Sequence, residues 1–261
     1  MPGTNSEDYA RLSAAARRLA LKAGRTIMAF YRDGTAVEIK ADCSPVTEAD
    51  RAADGLIVTG LQATTPDIPV ISEESTSTVP PPAGGRFWLV DPLDGTREFI
   101  ARTGEFTVNI ALIEDGRPVL GVLHAPVQGE TYIADGQGGA VSTVGDGPPQ
   151  AIQARQVPVR GPAVIASRLH RDAETDAYIA GLGPAQTVSA GSALKFGLLA
   201  RGEADIYPRF GRTMEWDTAA GHAILSAAGG HVRDLNGREL RYGKVGFVNP
   251  PFVACGVDSA Q

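Results

Sequence analysis

Apolar residues along this chain recur with two different periods, and the places where the period changes mark out its elements. From Ser6 to Phe30 the residues Leu12, Ala16, Leu19, Ala23, Ile27 and Phe30 fall near one face at helical spacing. An amphipathic helix is therefore predicted, capped by Ser6 and followed by Gly34. The stretch "AVEIK" reads as a short strand. A second helix is predicted to begin near Thr47 as N-cap, with Ala53, Leu56, Ile57 and Leu61 as its apolar stripe. Two short apolar runs then end abruptly in acid: "IPVISEES" in Glu73 and Glu74, and "FWLVDPLD" in Asp91 and Asp94. Two buried strands are thus expected to aim carboxylates at one place.

From Phe106 to Ala140, strand-like runs alternate with turns at "EDGR", "PVQGE" and "DGQGG", the pattern of an antiparallel meander. "DGQGG" has neither the spacing nor the strand-to-helix setting of a dinucleotide loop. Gly, Pro and polar residues crowd together over 144–161, and a boundary is placed there between a half formed by 1–155 and another formed by 156–261. The second half alternates. "PAVIAS" and "ADIYPRF" read as strands; "DAETDAYIAGLG" (capped by Asp172), "GSALKFGLLARG" and "WDTAAGHAILSAAGG" read as helices. No internal repeat or low-complexity tract interrupts this order.

With 261 residues, 43% of them apolar, the chain can bury a substantial core. No run is long and apolar enough to cross a bilayer, and the N-terminus lacks the pattern of a secretory signal, so a soluble, cytoplasmic protein is expected. Cys43 and Cys255 lie far apart and suggest neither a disulfide framework nor a zinc site. A formal net charge of −6 argues against a nucleic-acid-coating protein, whose affinity rests on cations neutralising phosphates. An anionic small substrate remains compatible with that charge if bound metals or local cations reverse the field at the site.

Carboxylates at the end of a buried strand need compensation. Mg²⁺ takes oxygen ligands in a nearly octahedral shell, few of them carboxylates, the rest water and phosphate. Asp91 and Asp94, with the Leu93 carbonyl exposed by a turn at Pro92 and Gly95, can grip two such ions, completed by Glu73 and Asp217. Gly95 lets backbone N–H groups approach a phosphate, and Thr96 adds a hydroxyl beside it. Each residue also has a plainer reading. "DPLDG" is good turn chemistry, Asp217 can serve a helix start, Asp50 can be the reciprocal member of a capping box, and Glu73 can be an exposed strand end. A calcium loop fits badly, because Leu93 holds the third position and the glycine comes fifth.

"S-P-V-T-x-A-D", "S-E-E", "D-P-L-D-G-T" and "W-D-T-A-A-G-H" stand in this order along the chain. Together they resemble the lithium-sensitive, magnesium-dependent phosphomonoesterases of the inositol monophosphatase superfamily, over essentially the whole length. "SALKFGLLARGEADIYPRFG" and "MEWDTAAGH" are similar to the CysQ-type 3′(2′),5′-bisphosphate nucleotidases. So is "ASRLHRDAET", although Leu169 stands where that likeness expects a small polar residue.

The resemblance implies the layered α/β (α+β) sandwich shared with fructose-1,6-bisphosphatase, with the site in a cleft between the halves. It implies Glu73, Asp91 and the Leu93 carbonyl on a first Mg²⁺, and Asp91, Asp94 and Asp217 on a second. Thr96, oriented through Asp50, would position and deprotonate the attacking water, Glu73 acting beside them through its ion. Lys40 and Glu74 are candidates for a supporting role or a third, weaker metal position. Gly95 and Thr96 would hold the scissile phosphate, Ser192 and Lys195 the phosphate that is not cleaved, His170 the adenine, and Arg209 a phosphate. His124, His222 and His231 are read as structural, since no spacing makes them a metal set. The implied partner is a small phosphorylated nucleotide such as adenosine 3′,5′-bisphosphate, with inositol monophosphate and fructose 1,6-bisphosphate as alternative substrates and a noncatalytic nucleotide sensor as the alternative class. Monomer and homodimer both stay open.

Overall fold

The computed structural model describes residues 6–34, 36–39, 45–75, 85–158, 161–167 and 172–258. Lys40, Cys43, Leu169 and His170 lie outside the described residues. Helix α1 (Ser6–Asp33) closes at Gly34, which takes φ 86° and donates its N–H to the Phe30 carbonyl at 2.9 Å. Ser6 is already helical rather than a cap outside the helix, and its hydroxyl hydrogen-bonds the Gln137 side chain. A hairpin of β1 (Val37–Ile39) and β2 (Pro45–Thr47) leads into α2 (Glu48–Thr64).

Seven strands then form one sheet in chain order. They are β3 (Val70–Ser72), β4 (Arg86–Asp94), β5 (Thr107–Glu114), β6 (Arg117–Ala125), β7 (Glu130–Ala134), β8 (Ala140–Val144) and β9 (Gln150–Ile152), with the short α3 (Thr96–Ile100) after β4. Only β3 and β4 run parallel; the others pair antiparallel. The expected meander is present. Its "EDGR" turn places Asp115 at φ 48° and Gly116 at φ 74°, the two positive values a tight hairpin turn needs. The second sheet has the order β11-β10-β12-β14-β13, from β10 (Ala163–Ser167), β11 (Gln186–Ala190), β12 (Ile206–Arg209), β13 (His231–Asp234) and β14 (Phe252–Cys255). Helices α4 (Ala173–Gly181), α5 (Leu194–Ala200) and α6 (Glu215–Ala227) lie among these strands in sequence.

The layers follow from side-chain alternation. In β4, Trp88 and Val90 pack with α1 and α2, while Phe87 and Leu89 pack with Trp216, Ala219 and Ala220 of α6. Trp88 is wholly buried, and its Nε1–H donates to Thr65 Oγ1 at 3.0 Å, so its one polar group is satisfied at the end of α2. On the other side of α5 and α6, Phe196 and Ile224 meet Ile165, Tyr207 and Phe252 of the second sheet. Helix α4 closes the stack with Ile179 against Val164 and Ile206. Glycine allows the closest approach: a Cβ on Gly121 of β6 would lie 2.4 Å from the Ala220 carbonyl oxygen of α6. The result is a layered sandwich, helix pair, sheet, helix pair, sheet, helix, in keeping with the layered α/β sandwich that the resemblance implied.

Several elements escape the sequence pattern. Strand β9 falls inside the polar 144–161 stretch and extends the first sheet, and β11 is exposed at four of its five positions. Both are edge strands whose polar composition hides any alternation. Asp172 caps α4 as expected, accepting from the Thr175 N–H at 2.7 Å.

Candidate active site

Strands β3 and β4 are parallel neighbours with Ser72 opposite Val90, and the Glu73 N–H donates to the Val90 carbonyl at 3.1 Å. Both acidic ends therefore emerge at the same edge of the sheet. Residues three apart on a regular strand point to opposite faces. Between Asp91 and Asp94, however, the pairing moves from Asn109 only to Thr107, so β4 carries one extra residue there. Pro92, which has no N–H to give a ladder, sits in this bulge. The bulge turns Asp94 back to the side of Asp91, which is the side covered by α6.

Asp50 is the point where the plainer and the chemical readings both hold. Its Oδ2 accepts from the Thr47 N–H at 2.8 Å and from the Thr47 hydroxyl, closing the capping box of α2. Its Oδ1 remains free for a distant partner and accepts from the Thr96 hydroxyl at 3.1 Å. That hydroxyl also lies 3.3 Å from the Leu93 carbonyl, so its proton is shared between the two acceptors. Burial raises the pKa of Asp50, and the hydrogen bonds from Thr47 and Thr96 oppose the rise.

Electrostatics join the remaining acids. Asp91 is held well above the usual carboxylate range, first by burial and then by the charges of Glu73, Asp94, Asp217 and Asp50. Asp94 is raised to about 6, chiefly by burial, with Lys195 acting against the shift and Glu98 adding to it. Asp217 is likewise raised well above the usual range by burial and then by Asp94, with a smaller push from Glu73. It sits at the third position of α6, where its Oδ2 accepts from the Met214 N–H at 2.8 Å. Helix capping and membership of the acidic group thus coexist in Asp217 as in Asp50.

The opposite wall is the turn entering α5. Ser192 takes φ 46° and stands outside the helix, in the turn before α5, whereas Lys195 lies in its first turn. The Ser192 hydroxyl lies 3.1 Å from that of Thr107, and Lys195 donates to the Ser192 carbonyl. Lys195 is 5% exposed, a buried cation rather than a solvated one. Burial lowers its pKa to about 8, against the pull of Asp94, Glu98 and Glu105. Gly95 has φ 91°, and a Cβ there would lie 3.0 Å from Ser192 Cβ, so the turn after the acidic strand touches the turn before α5. Arg209 ends β12, reaches the Arg212 carbonyl at 3.3 Å, and lowers the pKa of Asp217.

Asp50, Glu73, Asp91, Leu93, Asp94, Gly95, Thr96, Ser192, Lys195, Arg209 and Asp217 are thereby linked by contacts or by mutual electrostatic effect. The pKa of Arg51 is raised first by its hydrogen bond to Glu38 and, to a smaller extent, by the charge of Glu74. The donor set suits a hard divalent cation: it is all oxygen, Asp91 is buried and Glu73, Asp94 and Asp217 are half-buried, and its carboxylates repel one another. Among the described residues, no three His, Cys, Asp or Glu side chains already stand grouped as an ion would hold them. Their oxygens instead accept backbone N–H groups, as Asp91 Oδ1 does from Leu93 at 3.1 Å. His124 and His222 pair with neighbours in the core, at Thr131 and Tyr242. Asn109 and Thr107, both buried beside the acids, were missed; a polar Asn in the midst of "TVNIALI" was the available signal.

Known proteins share this arrangement of elements. The protein named 3′(2′),5′-bisphosphate nucleotidase CysQ from Escherichia coli strain K12 is 51% identical over 246 residues, which cover 90% of this chain and 96% of that protein. The crystal structure of CysQ from Bacteroides thetaiotaomicron, described as a bacterial member of the inositol monophosphatase family, matches with a TM-score of 0.83 and 40% identity over 95% of this chain and 97% of that one. An IMPase from Thermotoga maritima matches with a TM-score of 0.77 and 28% identity over 91% and 89%. The pattern of the inositol monophosphatase family spans residues 8–254, and the chain belongs to that family.

Proposed function

We propose that this protein is a Mg²⁺-dependent phosphatase that removes the 3′-phosphate of adenosine 3′,5′-bisphosphate, giving AMP and phosphate. The observation that carries the reading is the Thr96 hydroxyl donating to Asp50 Oδ1 at 3.1 Å, close to Asp91, the buried acid of β4. Half-identity with a bisphosphate nucleotidase over nearly the whole chain supports the substrate class. Enzymes of this family are metal-dependent phosphatases, generally using Mg²⁺.

In this reading Glu73, Asp91 and the Leu93 carbonyl would hold one ion, and Asp91, Asp94 and Asp217 would hold a second. Bound Mg²⁺ supplies Lewis acidity, lowering the pKa of its water and neutralising charge on the departing oxygen. The chain's own part is proton handling and placement. Thr96 Oγ1 accepts a proton from the attacking water as its own passes to Asp50 Oδ1, along the hydrogen bond already present. Backbone N–H groups at Gly95 and Thr96 face the phosphate. Ser192, Lys195 and Arg209 would bind the second phosphate; the adenine role that the resemblance gives His170 falls on a residue outside those described.

The reading assigns the metal ligands chiefly to the 1–155 half and Asp217 with the nucleotide side to the 156–261 half. Among the described residues, no helix is long and apolar enough to cross a membrane. A cytoplasmic enzyme is the corresponding expectation. A phosphate-release panel on adenosine 3′,5′-bisphosphate, inositol 1-phosphate and fructose 1,6-bisphosphate, with and without Mg²⁺, tests the proposal. The bisphosphonucleotide should have the highest kcat/KM, and activity should vanish on chelation. Preference for either sugar phosphate would overturn the substrate assignment.

A further inference from the structure

Asn109 lies in the middle of β5, 1% exposed and directly opposite Asp91 on β4. Cross-strand partners project from the same face. Here that face also carries Leu89, Ala111 and Ile113, which pack against α6. The Asn109 Nδ2–H group donates to Asp94 Oδ2 at 3.4 Å, while its Oδ1 is buried and has no hydrogen-bond partner among the described residues. Turning the amide over would set its oxygen against the carboxylate, so the charge of Asp94 fixes its orientation.

This is a costly way to fill space. An unpaired buried acceptor costs about 1–3 kcal/mol, and the neighbours Val108, Ile110 and Ala111 show that the strand otherwise takes apolar residues. Asp94 has a matching asymmetry. Its Oδ2 receives both the Ala193 N–H at 2.5 Å and the Asn109 amide, whereas its Oδ1 receives no hydrogen bond among the described residues. One oxygen is tied down and the other is left available.

We propose that Asn109 is a positioning residue of the metal site: its N–H group turns Asp94 so that one oxygen faces the cation, and its unpaired carbonyl accepts from the ion's water shell. Mg²⁺ keeps several waters when protein-bound, and those waters are donors that an orphan carbonyl lacks. The inference rests on the reading in which Asp91, Asp94 and Asp217 hold Mg²⁺.

Asn109→Leu keeps the number of side-chain heavy atoms and the branch at Cγ, and removes both polar groups. Titration calorimetry of MgCl₂ into the substrate-free protein should show Mg²⁺ binding weakened by about 10- to 100-fold, the usual effect of losing a group that orients a ligand. Urea unfolding of the metal-free variant should show stability kept or increased, because the unpaired acceptor is gone. Unchanged Mg²⁺ affinity would overturn the proposal, and so would affinity and stability falling together, which marks a packing role. If the leucine variant does not fold, Asn109→Val, apolar and smaller than leucine, is judged by the same pair of measurements. A parent protein that binds no Mg²⁺ would instead sink the metal reading itself.

Discussion

The backbone N–H of Ala193 donates to Asp94 Oδ2 at 2.5 Å, joining residues 99 apart in sequence. The bond ties the acidic end of β4 to the turn that carries Ser192 and Lys195, so the proposed metal side and substrate side share one contact. A charge-assisted bond of this kind is about twice as strong as a neutral one. It also makes Asp94→Asn an informative change. The amide oxygen can still accept from Ala193, leaving the NH₂ group where the second carboxylate oxygen stood. The variant should keep its fold and melting temperature in the absence of metal but lose about 10- to 100-fold in kcat, as expected when a metal's surroundings are damaged. Thermal melts and phosphate release check this, and full activity would refute the metal assignment.

Thr96 separates proton handling from shape. Valine matches its volume but cannot pass a proton to Asp50, whereas serine can. Thr96→Val should lower kcat by about 10²–10⁴-fold, the range for general acid–base groups, with little change in KM. Thr96→Ser should retain most of the activity. Steady-state kinetics on the three proteins decide it; a valine variant that turns over normally would remove Thr96 from the mechanism.

Lys195 should discriminate among substrates. Its ammonium is buried beside Asp94, Glu98 and Glu105, and burial lowers its pKa to about 8. A cation kept at such cost serves a bisphosphate better than a monophosphate, because only the former brings a second anionic group to that wall. Lys195→Ala should raise KM for adenosine 3′,5′-bisphosphate by about tenfold more than for inositol 1-phosphate, a difference of ~1.4 kcal/mol. Equal effects on both would move Lys195 out of the substrate pocket.

The acidic edge was legible because an apolar run ending in carboxylate is chemically anomalous, and both β3 and β4 show it. The capping box was legible too, since Thr47 and Asp50 stand at the required spacing. What Asp50 does with its other oxygen was open to the resemblance but not to local pattern, because Thr96 is 46 residues away. The burial of Lys195 was not legible, because packing against distant strands leaves no trace in a short helix. The conformation of Ser192 was equally hidden, since nothing in "AGSALK" demands a positive φ at a serine. Strand β11 was missed because an exposed edge strand has no apolar alternation to read. Local pattern therefore specified the elements with one buried face, and the contacts between sheets belonged to the fold alone.

His222 sets a pH limit on the fold. It is wholly buried in α6, its Nδ1 lies 2.9 Å from the Tyr242 hydroxyl, and its pKa is lowered to about 3, first by burial and then by Arg241. An unfolded histidine titrates near 6.5. Between those values the unfolded state binds the proton and the folded state does not, so stability is fully present above about pH 6.5 and falls as the pH drops. Buried carboxylates whose pKa is raised, such as Asp91 and Asp94, act in the opposite sense in the metal-free protein. His124, lowered to about 4, acts in the same sense as His222. Both contributions cancel when the parent is compared with His222→Gln, which retains them. Going from pH 7 to pH 5, the parent should lose about 2 kcal/mol more unfolding free energy than the variant, 1.36 kcal/mol for each pH unit below 6.5. Urea denaturation at the two pH values measures this directly. Equal losses would mean that His222 takes up its proton without leaving the fold.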